Sequence, residues 1–263
     1  MKTAIIIMAD AVNPFLMLAG IGMMAVAVIA VMWWKRRSSA SWKWFGFGAL
    51  VWIAAIALKL AMDFTITGSI TGASFDAFGL LGATAVAAIY VGLRTGFLES
   101  GLSYLFGKKK AGKSRISFNE AIAFGIGFGA VEAFLLGLGS FLNILAICMY
   151  PQLLDSLDMV SKDMLLSSLG QNTLVVVPAV IERVAAIFIH TFAAVLVFAS
   201  VNTKKSKYIW GSVAYKSVTD GIVPLLPLLA GAGIISSFAM EVPFVVLAAI
   251  GYFGIMDMRK LFS

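Results

Sequence analysis

The run FLMLAGIGMMAVAVIAVMWWKRR, Phe15 to Arg37, carries twenty consecutive uncharged residues and then stops at Lys35-Arg36-Arg37. At about 1.5 Å per residue, twenty helical residues cover the roughly 30 Å hydrocarbon core of a bilayer. Ahead of it, Lys2 and Ile5-Ile6-Ile7-Met8 are followed by Asp10, Asn13 and Pro14, with no small-residue cleavage site. The run is therefore read as a retained spanning helix and not as a signal peptide. Working outward, the same reading repeats at about 14–34, 43–62, 77–98, 117–147, 174–200, 208–230 and 238–257. Residues 1–263 are expected to form a single transmembrane domain, an all-α polytopic bundle with seven membrane-spanning helices.

Composition agrees. Hydrophobic residues make up 61% of the chain and charged residues 13%, against about 45–50% and about 25% in soluble domains. Disorder is excluded, because a disordered chain is poor in apolar residues, and so is a single water-soluble core. The +7 charge does not mark a nucleic-acid binder, because the cations cluster between apolar runs. Lys35, Arg36, Arg37 and Lys43 follow the first span, and Lys108, Lys109, Lys110, Lys113 and Arg115 follow the third. Lys204, Lys205 and Lys207 follow the fifth, and Arg259 and Lys260 close the chain. The alternate segments hold only Lys2 and Lys162 beside Asp10, Asp63, Asp76, Asp155, Asp158 and Asp163. The positive-inside rule then sets the N-terminus outside and the C-terminus in the cytoplasm of a multi-pass cell-membrane protein. A lone Cys148 excludes an intramolecular disulfide, and His190 is the sole histidine.

Local signals punctuate the spans. Ser117 and Glu120 have the spacing of a capping box, and Trp33, Trp34, Trp42 and Trp44 suit a membrane interface. Pro178 is expected to kink the fifth span, and Pro224 and Pro227 to break the sixth. The outer connector 148–173 is the longest, and Leu165, Leu166 and Leu169 are expected to lay part of it on the membrane surface. No internal repeat stands out.

Ionisable groups inside a bilayer are costly, so each is a candidate for function. Lys59 and Arg94 lie near span ends and are expected to snorkel to headgroups. Measured from the cytoplasmic ends, Glu132, His190 and Asp220 lie roughly 22, 15 and 18 Å deep, so three helices bring them to one layer. Lys216 sits one turn below Asp220, suited to an i,i+4 ion pair. Glu182 lies two turns outward of His190, and Arg183 lies seven residues from it. Gly125 and Gly129 form a small-xxx-small face for close packing. Gly125 to Gly129 is not a phosphate loop, since no strand precedes it. Asn143 returns to the face of Glu132 eleven residues on. The same groups could alternatively pair to hold helices in register.

Three motifs carry a resemblance: Gly127-Phe128-Gly129-Ala130-Val131-Glu132, then Glu182-Arg183 through Ile189-His190, then the xxxAsp220 ending of the third. In this order they resemble the YhfC family of predicted intramembrane metalloproteases, in a clan with the CAAX-processing, bacteriocin-processing and PrsW proteases. The likeness covers roughly 117–225 and the seven-span layout. The same half is similar to the APH-type scaffold subunit of gamma-secretase. One position departs: the family has a histidine four residues before the Asp, and here it is Lys216.

The protease resemblance implies hydrolysis of membrane-embedded peptide bonds, with Glu132 as general base. It implies a zinc ion held by His190, Asp220 and Glu182, or a metal-free variant with His190 as oxyanion donor. Arg183, Lys216 and Asn143 would support the site. Partners would be lipids and a transmembrane-helix or lipidated peptide substrate, not nucleic acid. The other likeness implies a non-catalytic scaffold. A transporter relaying protons through the buried groups is the third alternative.

Overall fold

The computed structural model describes residues 12–112, 114–236 and 238–262. Lys2, Ile5 to Met8, Asp10 and Lys113, which entered the reading above, lie outside them. Among the described residues the chain is all helical. The helices are α1 (Met17–Arg37), α2 (Trp42–Met62), α3 (Gly68–Ala111), α4 (Phe118–Met149) and α5 (Met159–Leu169). They continue as α6 (Val176–Thr203), α7 (Ser206–Ile222), α8 (Leu225–Gly231) and α9 (Val242–Met258).

Six helical stretches are long and apolar enough to cross a membrane, of which the second is Trp42–Ala111 with 70 residues. If straight, that stretch would run roughly 105 Å, more than three times the hydrocarbon core. It reverses instead at Gly79, whose φ of 65° and ψ of −169° suit only glycine. Contacts between Lys59 and Glu99, Asp63 and Arg94, and Thr67 and Tyr90 show that the two limbs run antiparallel.

The non-helical connector expected over 63–76 is helical, starting with the π-turn Asp63–Thr67. Hydroxyls of Thr65, Thr71 and Ser74 donate to carbonyls four residues back. Their polarity is thus satisfied within the helix, and it ends no helix.

Two further expectations are corrected. α3 continues to Ala111 and does not stop at 98. Pro178 makes no kink, because it is the third residue of α6, where its missing N–H has no intrahelical partner to lose. Leu165 and Leu166 are half-buried and pack with buried Leu169 against Leu16, Ile144 and Ile147, over one end of α1 and α4. The large apolar α5 residues left exposed are Met159, Val160 and Met164. Asp158 caps α5 by accepting from Ser161 N at 3.0 Å. Its carboxyl is held below the ordinary aspartate range, chiefly by the Ser161 side chain and amide.

Other signals stand as read. Glu120 accepts from Ser117 N at 2.8 Å, completing the capping box, and also from Trp44 Nε1 at 2.7 Å. The sixth predicted span breaks at Val223-Pro224, between α7 and α8.

α4 and α6 form the centre: α4 packs on α1, α2 and α6, and α6 also contacts α7 and α9. Their contact depends on the glycine face of α4. A Cβ on Gly125 would lie 2.5 Å from Thr191 Cα, a backbone atom that cannot step aside. Gly125→Ala is therefore expected to cost about 1–3 kcal/mol through overpacking. Gly139→Ala on the same helix, with nothing within 4 Å of the added carbon, should leave stability within a few tenths. Thermal unfolding of the two variants in detergent micelles tests this, and equal midpoints would refute it.

Candidate functional site

Close approach of α4 and α6 places Glu132 beside His190. Glu132 Oε2 lies 3.0 Å from His190 Nε2 and accepts from Trp52 Nε1 at 2.9 Å. Its other oxygen accepts from Arg183 Nη1 at 2.8 Å. The His190 ring rests on Phe128, with centroids 4.8 Å apart. Beyond the ring, Nδ1 is 3.4 Å from Lys216 Nζ and 3.8 Å from Glu99 Oε2.

Glu99 anchors the other half of the cluster. It forms ion pairs with Lys216 at 3.0 Å and with Lys59 at 2.5 Å. α3 and α7 meet there through small residues: a Cβ on Gly92 or Gly96 would strike the α7 backbone at Ser217 or Val213, and Ser100 and Ser212 hydroxyls bond at 2.9 Å. Asp220 lies within 3.9 Å of both ammonium groups, and Glu182 pairs with Arg183. Four carboxylates and three fixed cations thus share one network that also holds the sole histidine.

The layer read from the sequence comes together only in part. Glu132, His190 and Lys216 converge, with Arg183 beside them. Asp220 joins through the lysines and does not touch His190. Glu182 stays about two turns along α6 from His190, paired with Arg183. Asn143 is exposed, about 16 Å further along α4, and takes no part.

Neither cation expected to snorkel does so. Lys59 is 8% exposed and inside the cluster. Arg94 pairs with Asp63 on the facing limb of the hairpin. Snorkelling relieves a charge by reaching water, and here a buried or facing carboxylate is closer.

Glu99 was missed because the third span was cut at residue 98. The stretch Gly101 to Gly107 carries no charge before Lys108. Extending the span to that lysine sets Glu99 about 14 Å from its basic end, close to the roughly 15 Å of His190. That extension was the available signal.

A cavity of about 390 Å³ opens over the cluster, lined by Glu99, Glu132, His190, Lys216 and Asp220, with Leu136 and Phe244 as apolar walls. Asp220 and Glu182, with side chains 27% and 33% exposed, mark its mouth. The volume is in the range of ligand-binding pockets.

A divalent metal fits this donor set poorly. Among the described residues no group of three His, Cys, Asp or Glu side chains is arranged to hold one. The two nitrogens of His190 face different carboxylates, so one ion cannot use His190 with both. Around Nε2 stand the N–H donors of Trp52 and Arg183, and around Nδ1 stands the Lys216 ammonium. None of these three groups has an acceptor to offer a cation.

The network gives its own test. Glu99→Gln leaves Lys216 and Lys59 facing a neutral amide while still buried, which is expected to cost about 3–5 kcal/mol. Adding Lys216→Met should recover part of that loss in thermal unfolding. No recovery would mean that Glu99 acts through packing and not through charge.

A model of the YhfC intramembrane metalloprotease family matches residues 22–245. No curated protein and no solved structure matches the chain.

Proposed function

The chain belongs to the YhfC intramembrane metalloprotease family, a multi-pass membrane protein, and from that premise we propose that it hydrolyses peptide bonds within the bilayer at the Glu132–His190 pair. The supporting observation is the 3.0 Å contact between these side chains in the wall of a polar cavity among apolar spans. In this reading the two limbs of the Trp42–Ala111 hairpin cross separately, making seven crossings. The positive-inside rule then turns the mouth of the cavity towards the outside.

The chemistry needs only side chains of this chain. Glu132 accepts a proton from a water whose oxygen adds to the substrate carbonyl carbon. The Lys216 ammonium, behind His190, offsets the negative charge that develops on the carbonyl oxygen. Glu132 passes that proton across the 3.0 Å contact to His190 Nε2, and as the C–N bond breaks His190 hands it to the leaving amine, which returns both side chains to their starting states. A metal bound in other members of the family would polarise the carbonyl and activate the water. No step here is routed through one, because cations and N–H donors stand where its ligands would be. The substrate class is a transmembrane helix or a lipidated peptide.

One observation favours a second reading, a non-catalytic scaffold. Glu132 already faces Arg183, Trp52 and His190, which is how a structural carboxylate is satisfied. Glu132→Gln separates the two readings, because it keeps the shape and removes the base. Cleavage of a panel of fluorescent single-span peptides in proteoliposomes should fall about 10²–10⁴-fold. Unchanged cleavage by the variant, or none by the parent protein, sinks the hydrolase reading.

Zinc measured on the purified protein by elemental analysis is expected well below one equivalent per chain, with cleavage insensitive to chelator. A full equivalent that survives dialysis would return the metal to the mechanism.

A further inference from the structure

Away from the charged cluster, α1, α4, α6 and α9 enclose a cleft of about 1040 Å³. Its walls are apolar, with Val26 and Ala30 on α1, Ile122 and Ile126 on α4, and Ile187 and Phe188 on α6. At one end stand Arg37, the last residue of α1, and Arg259, just past α9. Both are exposed, and no carboxylate among the described residues pairs with either. The cleft lining contains no Asp or Glu at all. Trp33 and Trp34 flank the same end, with the Arg37 guanidinium 4.7 Å over the Trp33 ring.

The dimensions of the cleft select its occupant. Its lining runs 26–37 on α1, 118–126 on α4, 184–191 on α6 and 252–259 on α9. These are stretches of eight to twelve residues, or roughly 10–17 Å each. Thr191 packs level with Gly125 and Ile187 level with Gly129, so the α6 lining continues where that of α4 ends and the slot runs roughly 20 Å in all, two thirds of the roughly 30 Å core. A spanning helix would need a contact half as long again. A lipid needs an apolar slot about as long as an extended acyl chain with a polar end at headgroup height. Asp257, two residues from Arg259, is held by Lys260 at 2.6 Å, so the two arginines at that end, neither paired with a carboxylate among the described residues, call for a negative headgroup. Basic pockets between spans on the cytoplasmic side bind anionic lipid in this way.

We infer that this cleft is a binding site for one anionic phospholipid, its phosphate on Arg37 and Arg259 and an acyl chain along Ile122, Ile126 and Ile187. The site is separate from the Glu132–His190 cavity, and the inference does not depend on hydrolysis.

The test uses the full chain in nanodiscs of equal parts phosphatidylglycerol and phosphatidylcholine, followed by native mass spectrometry of retained lipid. One phosphatidylglycerol per chain is the expected result. Arg37→Ala with Arg259→Ala should weaken its retention about thirtyfold, at about 1 kcal/mol for each surface cation. Ala30→Trp, which fills the slot and keeps both arginines, should also displace it. Lys108→Ala with Lys109→Ala removes the same charge from the same side of the membrane, outside the cleft, and should change nothing. Equal retention of both lipids, or equal loss in the lysine variant, would show general surface attraction and overturn the site. So would a co-reconstituted single-span peptide that takes the place of the lipid.

Discussion

A charge in hydrocarbon has no water to turn to, so each must find its opposite within the protein or not be there at all. The ion-pair network around Glu99 and Glu132 is where this constraint acts. Lys59 from α2, Glu99 from α3, Glu132 from α4, Arg183 and His190 from α6, and Lys216 and Asp220 from α7 meet at one depth. Five helices are tied to one register, because sliding any of them by a turn would strand a buried charge. The polar cavity exists because these groups cannot be packed over with aliphatic side chains. Structure and candidate chemistry therefore share one origin.

Such a network forms only if the backbones come close enough for short side chains to meet. Glycine supplies that closeness at two seams. Gly125 and Gly129 set α4 against α6 beside Glu132, and Gly92 and Gly96 set α3 against α7 beside Glu99. With lipid on the outside there is little hydrophobic drive between spans, and close packing supplies the attraction instead. The apolar cleft on the other side of α4 is the counterpart: there the helices stand apart, and the space suits a lipid chain.

The lysine that departs from the motif of the protease family changes what the site can do. Lys216 is fully buried and lies between Glu99 and His190. In the proposed mechanism its fixed ammonium takes the electrostatic part that a metal would play. It also consumes the carboxylate nearest to Nδ1 of the histidine. The same geometry that weakens the case for zinc is the one on which the proposed oxyanion stabilisation rests.

Much of this was legible in the chain itself. Apolar runs and alternating basic connectors determine a helical membrane bundle, because the bilayer admits little else. Glu132, His190 and Asp220 could be placed in one layer by counting residues, with Lys216 one turn below. The partners could not be counted. Which carboxylate faces Lys59, and whether Arg94 reaches headgroups or Asp63, depends on rotation and tilt of whole helices. The reversal at Gly79 and the membership of Glu99 likewise came from packing. Hydropathy averages over a window and measures depth, whereas pairing depends on azimuth between neighbouring helices. Azimuth is set by the glycine seams acting together, and it exists only once the helices have packed.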